Sequence, residues 1–465
     1  MNGSEAAGSL STSSAIVLAA GKGVRMKSST PKVLHEICGR PMVWWVLRAL
    51  RDAGVSRAIV VTSPENDSAV NAIAGTIPDI DFDTVIQAEQ KGTGHATQIA
   101  LKELKPRDGT ILIAYGDMPV VDGALFRSVI AACDTLTALA LVTAKMPLPS
   151  NFGRIVRDGD LVTRIVEMRD CSPEELAIDE MNAGIYAFDE GSLRSVIGEL
   201  RADNTQGELY LTDTIAMLAE RGDRVVPVLS ENPRLVMGVN DRAELAKARA
   251  ALNHRLCEQH MRAGVTIVDP ARTYLEPDLA ISNDVVIYPN TAIGGATLIA
   301  RGARIGPNCR IYGATIGESA QITESVVLDS TVGAHVVVGP YAHLRDGARL
   351  GADVQIGNFV EVKDSKLAPG VKARHLSYLG DAEVGENTNV GAGTITCNYD
   401  GERKHKTKIG KNVKIGSDTM LVAPVEVGDN AMTGAGSVVT RDVEAGDRVV
   451  GTPARSIKKK AKTAS

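Results

Sequence analysis

The sequence predicts an α/β chain in two parts: a mostly parallel sheet with helices on its faces, then, past one connecting helix, a parallel β-helix of six-residue repeats. Three observations carry this. Up to about residue 240, short apolar runs alternate with helical stretches. From residue 281 onwards, aliphatic residues recur every six positions. The 465 residues also exceed one ordinary core, with length for about two to four domains.

The elements follow in chain order. The opening "MNGSEAAGSLSTSS" is Gly/Ser-rich and has neither a basic start nor an apolar core. Residues 1–13 are therefore expected to be a mobile extension and not a signal peptide. Residues 14–240 form the first domain. Its strands are expected at "AIVLAA", "RAIVVTS", "TILIAYG" and "ALALVTA", its helices at "MVWWVLRALRDAG" and "HATQIALKEL". Such alternation implies a parallel sheet covered by helices. A glycine loop and Asp117 then fall just past strand C-termini, where open α/β sheets bind ligands. Residues 241–263 read as the connecting helix, with Asp241 and Glu244 as a possible capping box and Gly264 as its stop.

Residues 264–455 carry the repeat. One run is Ile281, Ile287, Ile293, Ile299, Ile305 and Ile311; after a slip come Val332, Val338, Leu344, Leu350, Ile356 and Val362; a third is Ile409, Ile415, Leu421 and Val427. A period of six fits neither strand nor α-helix, but it fits a coil with flat faces and tight corners whose aliphatics stack inside. Small residues beside the aliphatic, as in Ile293-Gly294 and Ile415-Gly416, are expected to turn the corners. The largest interruption is "TITCNYDGERKHKTKIG", Thr394–Gly410, and a loop expelled from a solenoid often carries function. Residues 456–465, with Lys458, Lys459, Lys460 and Lys462, are expected to be a solvated basic tail.

Composition narrows the function. A content of 44% hydrophobic and 23% charged residues is ordinary for a soluble globular protein. Only 3% of residues are aromatic, which argues against stacking platforms for single-stranded nucleic acid. A net charge of −5 gives no pull towards nucleic acid or acidic membranes. No apolar run is long enough to span a bilayer. The six cysteines (Cys38, Cys133, Cys171, Cys257, Cys309, Cys397) are dispersed without C-x-x-C, so free thiols in a reducing compartment and no zinc site are expected.

Chemistry concentrates first at "AIVLAAGKGVRM". Met26 stands where a dinucleotide fingerprint needs its third glycine, and no P-loop pattern is present. The glycines still let backbone N–H groups approach a phosphate. Arg25 and Lys32 add two cations, suited to a triphosphate or else simply solvated charge. Asp117, in "ILIAYGDMPVV", suits a Mg2+ ion shared with phosphate oxygens, or a turn before Pro119.

Together "LAAGKGVRMKSSTPKVLH" resembles the sugar nucleotidylyltransferase signature, L-x-x-G-x-G-x-R-M-x(4 to 6)-P-K. The stretches "QAEQKGTGHA", "YGDMP", "NFGRIV", "IVEMRD", "MNAGIYAF", "NTQGELYLTD" and "MGVNDRAEL" extend it. In order and spacing, residues 14 to about 450 resemble the bifunctional family of N-acetylglucosamine-1-phosphate uridylyltransferase and glucosamine-1-phosphate N-acetyltransferase, the GlmU type. The resemblance implies a Rossmann-like nucleotidyltransferase domain and a left-handed β-helix. It implies that Leu18, Ala19, Ala20, Gly21, Gln87, Gly92 and Thr93 hold the uridine nucleotide, and that Arg25 and Lys32 contact phosphates. Asp117 and Asn240 would bind Mg2+; Gly153, Glu167 and Asn182 would bind N-acetylglucosamine. The plainer alternatives are a helix N-cap for Asn240, a turn for Gly153 and a surface charge for Glu167.

In the second half "AHLRDGARL", "FVEVKDSKL", "ARHLSYLGD", "NTNVGAGTITCNYDG", "IGSDTMLVAPV" and "GAGSVV" resemble the acetyltransferase part of the same family. This implies His375 as general base, since its ordinary pKa lies near working pH. It implies Arg345 and Lys363 on the sugar phosphate, Tyr378 and Asn389 on the sugar, and Ala392, Asn398, Tyr399, Ser417 and Ala435 along acetyl-CoA. Alone, His375 and Lys363 would read as surface residues. Some members carry an arginine near acetyl-CoA where Thr452 stands here, with Arg455 close by. The implied chemistry is acetyl transfer from acetyl-CoA to glucosamine 1-phosphate, then uridylyl transfer from UTP to N-acetylglucosamine 1-phosphate. The product feeds bacterial cell-wall synthesis, and the family is a cytoplasmic homotrimer whose acetyl-transfer sites lie between subunits. Two rivals are a single-activity sugar-1-phosphate nucleotidylyltransferase with a non-catalytic β-helix, and a solenoid scaffold with a degenerate nucleotide domain.

Overall fold

A computed structural model of the chain describes residues 13–106 and 109–457. The expected N-terminal extension up to residue 12 and the tail lysines lie outside the described residues. The chain divides into two compact units, Met1–Leu252 and Asn253–Ser465. The division falls within one long helix, Arg242–Arg262.

In the first unit the main sheet runs in the order Val225–Leu229, Leu139–Lys145, Glu180–Asp189, Thr110–Tyr115, Ser14–Leu18, Arg57–Thr62, Asp81–Ile86. All neighbours are parallel except Glu180–Asp189, which is antiparallel on both sides. Helices Met42–Asp52 and Thr93–Glu103 form where their apolar residues recur at helical spacing. The central strands are apolar on both faces because helices cover both, and Ile16, Ile59, Ile111, Leu139 and Phe188 are fully or almost fully buried. Strand Ser14–Leu18 ends at the glycine loop and Thr110–Tyr115 ends just before Asp117, so both are delivered to one edge of the sheet.

The helix start differs in detail from the expected capping box. Asp241 Oδ1 accepts from Glu244 N–H at 2.8 Å, but the Glu244 carboxylate accepts from Asn240 N–H at 2.7 Å, not from Asp241. Asp241 is thus the cap, and the Asn240 side chain is not used for capping. The helix stops before Gly264, whose φ of +93° an L-residue rarely adopts.

The second unit is a left-handed parallel β-helix. Its short strands pair in parallel with those one coil away, as Ile287 faces Ile305, Ile293 faces Ile311 and Ile299 faces Ile316, and among the described strands only the terminal Arg448–Val450 and Arg455–Ser456 pair antiparallel. Three flat sheets result, and the repeating aliphatics stack in the interior between them. Ile293, Ile311, Ile322, Leu344, Val362 and Leu421 are all fully buried. Truncating one to alanine, such as Ile311→Ala, would cost about 2–5 kcal/mol through lost burial plus a cavity. Ile281 is the exception among the repeat positions, being only half-buried in an early coil.

The corners are turned by two kinds of residue. Gly306 and Gly339, directly after Ile305 and Val338, take positive φ as expected, and most of the non-glycine residues in that conformation are Asp or Asn, including Asp284, Asn290, Asn308, Asp353 and Asn412. Their short polar side chains tolerate this conformation better than other L-residues do. Other glycines after the aliphatic, such as Gly317 and Gly333, serve close approach between coils. A Cβ on Gly317 would lie 2.5 Å from the Gly333 carbonyl carbon, and one on Gly333 would lie 2.7 Å from that of Gly351.

Candidate functional site

In the first unit the glycine loop passes directly over Lys32. Gly23 has φ +60°, and a Cβ on it would lie 2.5 Å from Lys32 Cβ. Any larger residue would push the lysine aside. Gly21 is different: a Cβ there meets nothing within 4 Å, so its backbone faces open space. Leu18, Ala19, Ala20, Gly21, Lys32, Gln87, Gly92, Thr93 and Asp117 line one cavity of about 300 Å3, as does Tyr115. Gln87 donates to Gly92 O at 3.1 Å. Thr93 Oγ1 accepts from Leu211 N–H at 3.0 Å.

A second cavity of about 1040 Å3 is lined by Arg25, Glu167, Thr212 and Asn240. Thr93, Tyr115 and Glu208 line both cavities, so the two adjoin. At their junction the Lys32 ammonium donates to Asp117 Oδ2 and, at 3.2 Å, to Asn240 Oδ1. Val239 N–H donates to Asp117 O at 2.9 Å and holds the Asn240 segment against the end of the central strand. Asp117 and Asn240 thus converge on one cation position, with a carboxylate and an amide oxygen. Such hard donors, few in number and open to phosphate, fit a Mg2+ ion.

Gly153, Glu167 and Asn182 also meet. Gly153 O accepts from Asn182 N–H at 2.9 Å, and a Cβ on Gly153 would lie 2.9 Å from Ile165 and 3.6 Å from Glu167 Oε2. Glu167 is no surface charge. Burial pushes its carboxyl above the ordinary range, against a 3.4 Å hydrogen bond from Thr212.

In the second unit the acidic Asp381, which the sequence reading passed over, gathers several candidates. Lys363 Nζ is 3.4 Å from both its oxygens, and Asn398 Nδ2 donates to Oδ2. Asn398 Nδ2 also lies 3.4 Å from Tyr378 Oη. Lys363 is buried, so it is not the solvated charge that it would be taken for alone. Arg345 pairs with Lys363 in register on adjacent strands, and its guanidinium is held by Glu361 at 2.7 Å and Asp346 at 2.6 Å. Lys404 of the expelled loop contacts Lys363, and that neighbouring ammonium holds the Lys404 pKa below the usual lysine range.

His375 lies on a different sheet from Arg345, Lys363 and Tyr378. It is exposed, and its Nδ1 lies 2.9 Å from Asn358 Oδ1. With Oδ1 accepting, Nδ1 is the donor, which in a neutral imidazole leaves the Nε2 lone pair that a base requires. Asn358 was not singled out from sequence, although it immediately precedes the quoted "FVEVKDSKL" stretch. Tyr399 is exposed on the expelled loop, and Asn389 presents an exposed side chain from a coil edge. Ala392, Ser417 and Ala435 follow Gly391, Gly416 and Gly434, which stack coil on coil so closely that a Cβ on Gly391 would lie 2.6 Å from Gly416. Thr452 Oγ1 reaches Gly436 O at 3.4 Å, beside Ala435, while Arg455 folds onto Ala454 O.

Residues 15–156 match the MobA-like NTP transferase domain, residues 275–370 the GMPPB C-terminal domain, and residues 406–441 the bacterial transferase hexapeptide (six repeats) family. Fold and matches define a bifunctional transferase, with a nucleotidyltransferase part and a hexapeptide acyltransferase part. Its relatives are bifunctional GlmU proteins. The chain is 43% identical over 417 residues to that of Streptomyces avermitilis, covering 89% of this chain and 86% of the relative. It is 45% identical over 421 residues to that of Trichlorobacter lovleyi, covering 90% and 91%, and 42% identical over 420 residues to that of Corynebacterium glutamicum, covering 90% and 87%. The chain belongs to the GlmU family.

Proposed function

We propose that the β-helix transfers acetyl from acetyl-CoA to glucosamine 1-phosphate, and that the first unit joins the resulting N-acetylglucosamine 1-phosphate to UTP. UDP-N-acetylglucosamine and pyrophosphate are the products. The observation that carries the nucleotidyl half is the junction at Lys32, Asp117 and Asn240. It puts the phosphate- and metal-binding groups where two cavities adjoin, which gives room for a nucleotide on one side and a sugar on the other. A phosphate oxygen of the sugar attacks the α-phosphorus in line and pyrophosphate leaves. No side-chain nucleophile is required, because positioning and charge neutralisation supply the acceleration. Lys32 and Arg25 bear on the phosphates. Asp117 and Asn240 hold Mg2+, which when bound neutralises phosphate charge.

In the β-helix the substrate amine attacks the thioester carbonyl, His375 Nε2 takes the amine proton and coenzyme A leaves. Asn358 holds the ring in the accepting tautomer. Arg345 and Lys363 bind the sugar phosphate, Tyr378 and Asn389 the sugar. Acetyl-CoA lies along the column of Ala392, Ser417 and Ala435, with Asn398 and Tyr399 at its reactive end.

The working form is a cytoplasmic homotrimer. Its support is one corner of the β-helix where Tyr341, Phe359 and Leu376 stack on successive coils, 57%, 56% and 60% exposed, all at positive φ. The Tyr341 and Phe359 rings stack 5.4 Å apart. Large apolar side chains held exposed in a conformation that costs about 1–3 kcal/mol each are what a covered interface explains. Asn358 and His375 immediately precede Phe359 and Leu376, so a neighbouring copy on this corner would border the base.

Product analysis tests the assignment. Glucosamine 1-phosphate, acetyl-CoA and UTP together should yield UDP-N-acetylglucosamine, and omission of acetyl-CoA should abolish it. Turnover of unacetylated sugar phosphate with UTP at an equal rate would favour a single-activity enzyme.

A further inference from the structure

The irregular strand Glu180–Asp189 carries a buried polar pair, Asn182 and Tyr186, whose tyrosine has no role in the reactions above. Asn182 Nδ2 donates to Tyr186 Oη at 2.7 Å, and Asn182 Oδ1 accepts from Gly184 N–H at 3.0 Å. In a regular strand, residues four apart sit roughly 13 Å from each other. Here the register against Leu139–Lys145 shifts between Asn182 and Tyr186, and Gly184 takes φ +73°. That bulge folds the amide back onto the phenol. A side chain at 184 would prevent it, since a Cβ there would lie 2.5 Å from the Tyr115 ring.

Tyr186 is fully buried and neighbours Tyr115. Burial raises both phenols far above the ordinary tyrosine range, so both keep their protons throughout the working pH. Tyr115 and Thr93 are the shared wall of the two cavities. An asparagine amide has two donors and two acceptor positions. Tyr186 and Gly184 consume one of each, which leaves one N–H and one carbonyl lone pair in a fixed sense.

We propose that Tyr186 is a positioning residue for uridylyl transfer: through its hydroxyl it fixes the orientation in which Asn182 meets the sugar. The inference rests on the reading that Asn182 contacts the N-acetylglucosamine moiety. Without the hydroxyl, the amide loses the partner that distinguishes its nitrogen from its oxygen and can present the wrong atom.

The test compares the intact protein with Asn182→Ala, Tyr186→Phe and the double variant. The readouts are KM for N-acetylglucosamine 1-phosphate and KM for UTP, neither of which depends on the fraction of folded enzyme. Tyr186→Phe should raise the sugar-phosphate KM about tenfold, the worth of one hydrogen bond, and leave the UTP KM unmoved. In the Asn182→Ala background the same change should shift the sugar-phosphate KM by less than about twofold, because the two residues act through one contact. An unchanged sugar-phosphate KM in Tyr186→Phe, or an equal shift in both backgrounds, overturns the positioning role while leaving Asn182 on the sugar. An unchanged sugar-phosphate KM in Asn182→Ala overturns both.

Discussion

Lys32 Nζ and Asn240 Oδ1 lie 3.2 Å apart although 208 residues separate them in sequence, and the same ammonium also bonds Asp117. One cation position between two oxygens can be filled by the lysine or by a metal, not by both. On the proposed function, Mg2+ entry would require Lys32 to turn away, with an incoming phosphate as its natural acceptor. Metal and nucleotide binding would then be mutually dependent.

Lys32→Met should accordingly bind Mn2+, a probe for Mg2+, more tightly when no nucleotide is present. A charge-assisted hydrogen bond is worth about 1.5–3 kcal/mol, so a gain of about tenfold to a hundredfold is expected. Uridylyl transfer should fall at the same time. Titration followed by electron paramagnetic resonance checks the first point, and an unchanged Mn2+ affinity would contradict the exclusive cation position.

His375→Ala should lower acetyl transfer by about 10²–10⁴-fold and leave uridylyl transfer intact. The deficit should shrink as pH rises, because more of the substrate amine is then already deprotonated and needs no base. Acetyl-transfer rates across pH provide the check. A deficit independent of pH and confined to KM would mean that His375 only shapes the pocket.

The corner formed by Tyr341, Phe359 and Leu376 leads to a prediction about assembly. Phe359→Asp places a charge in the stacked apolar column without touching the buried interior. It should shift the protein from trimer to monomer in sedimentation and depress acetyl transfer far more than uridylyl transfer. A variant that remains trimeric would remove this corner from the interface.

Much of this architecture was legible in the residues because its causes are local and repetitive. Ile287, Ile293 and Ile299 announce a coil by spacing alone, since each coil buries its aliphatics in the same way. The glycine loop and Asp117 could be placed at strand ends from alternation of apolar runs. Strand Glu180–Asp189 was harder, because its bulge puts Asn182 and Gly184 inside an apolar run and breaks the period. Asp381 was missed for another reason. It occupies a left-handed corner, as many structural Asp residues of the coil do, and nothing in its neighbourhood distinguishes the one that holds Lys363 and Asn398. Asn358 escaped notice because its relation to His375 arises only from coil stacking, in which Asn358 and His375 occupy the same register position on adjacent strands.

On the proposed function, one chain carries two independent chemistries joined by a diffusible sugar phosphate. The most direct measurement mixes purified Asp117→Asn, defective in uridylyl transfer, with purified His375→Ala, defective in acetyl transfer, and follows UDP-N-acetylglucosamine formed from glucosamine 1-phosphate, acetyl-CoA and UTP. Each variant alone should form little or none, and the mixture should form it readily as N-acetylglucosamine 1-phosphate passes from one to the other. A mixture no more active than its components, or either variant losing both half-reactions, would contradict two independent sites.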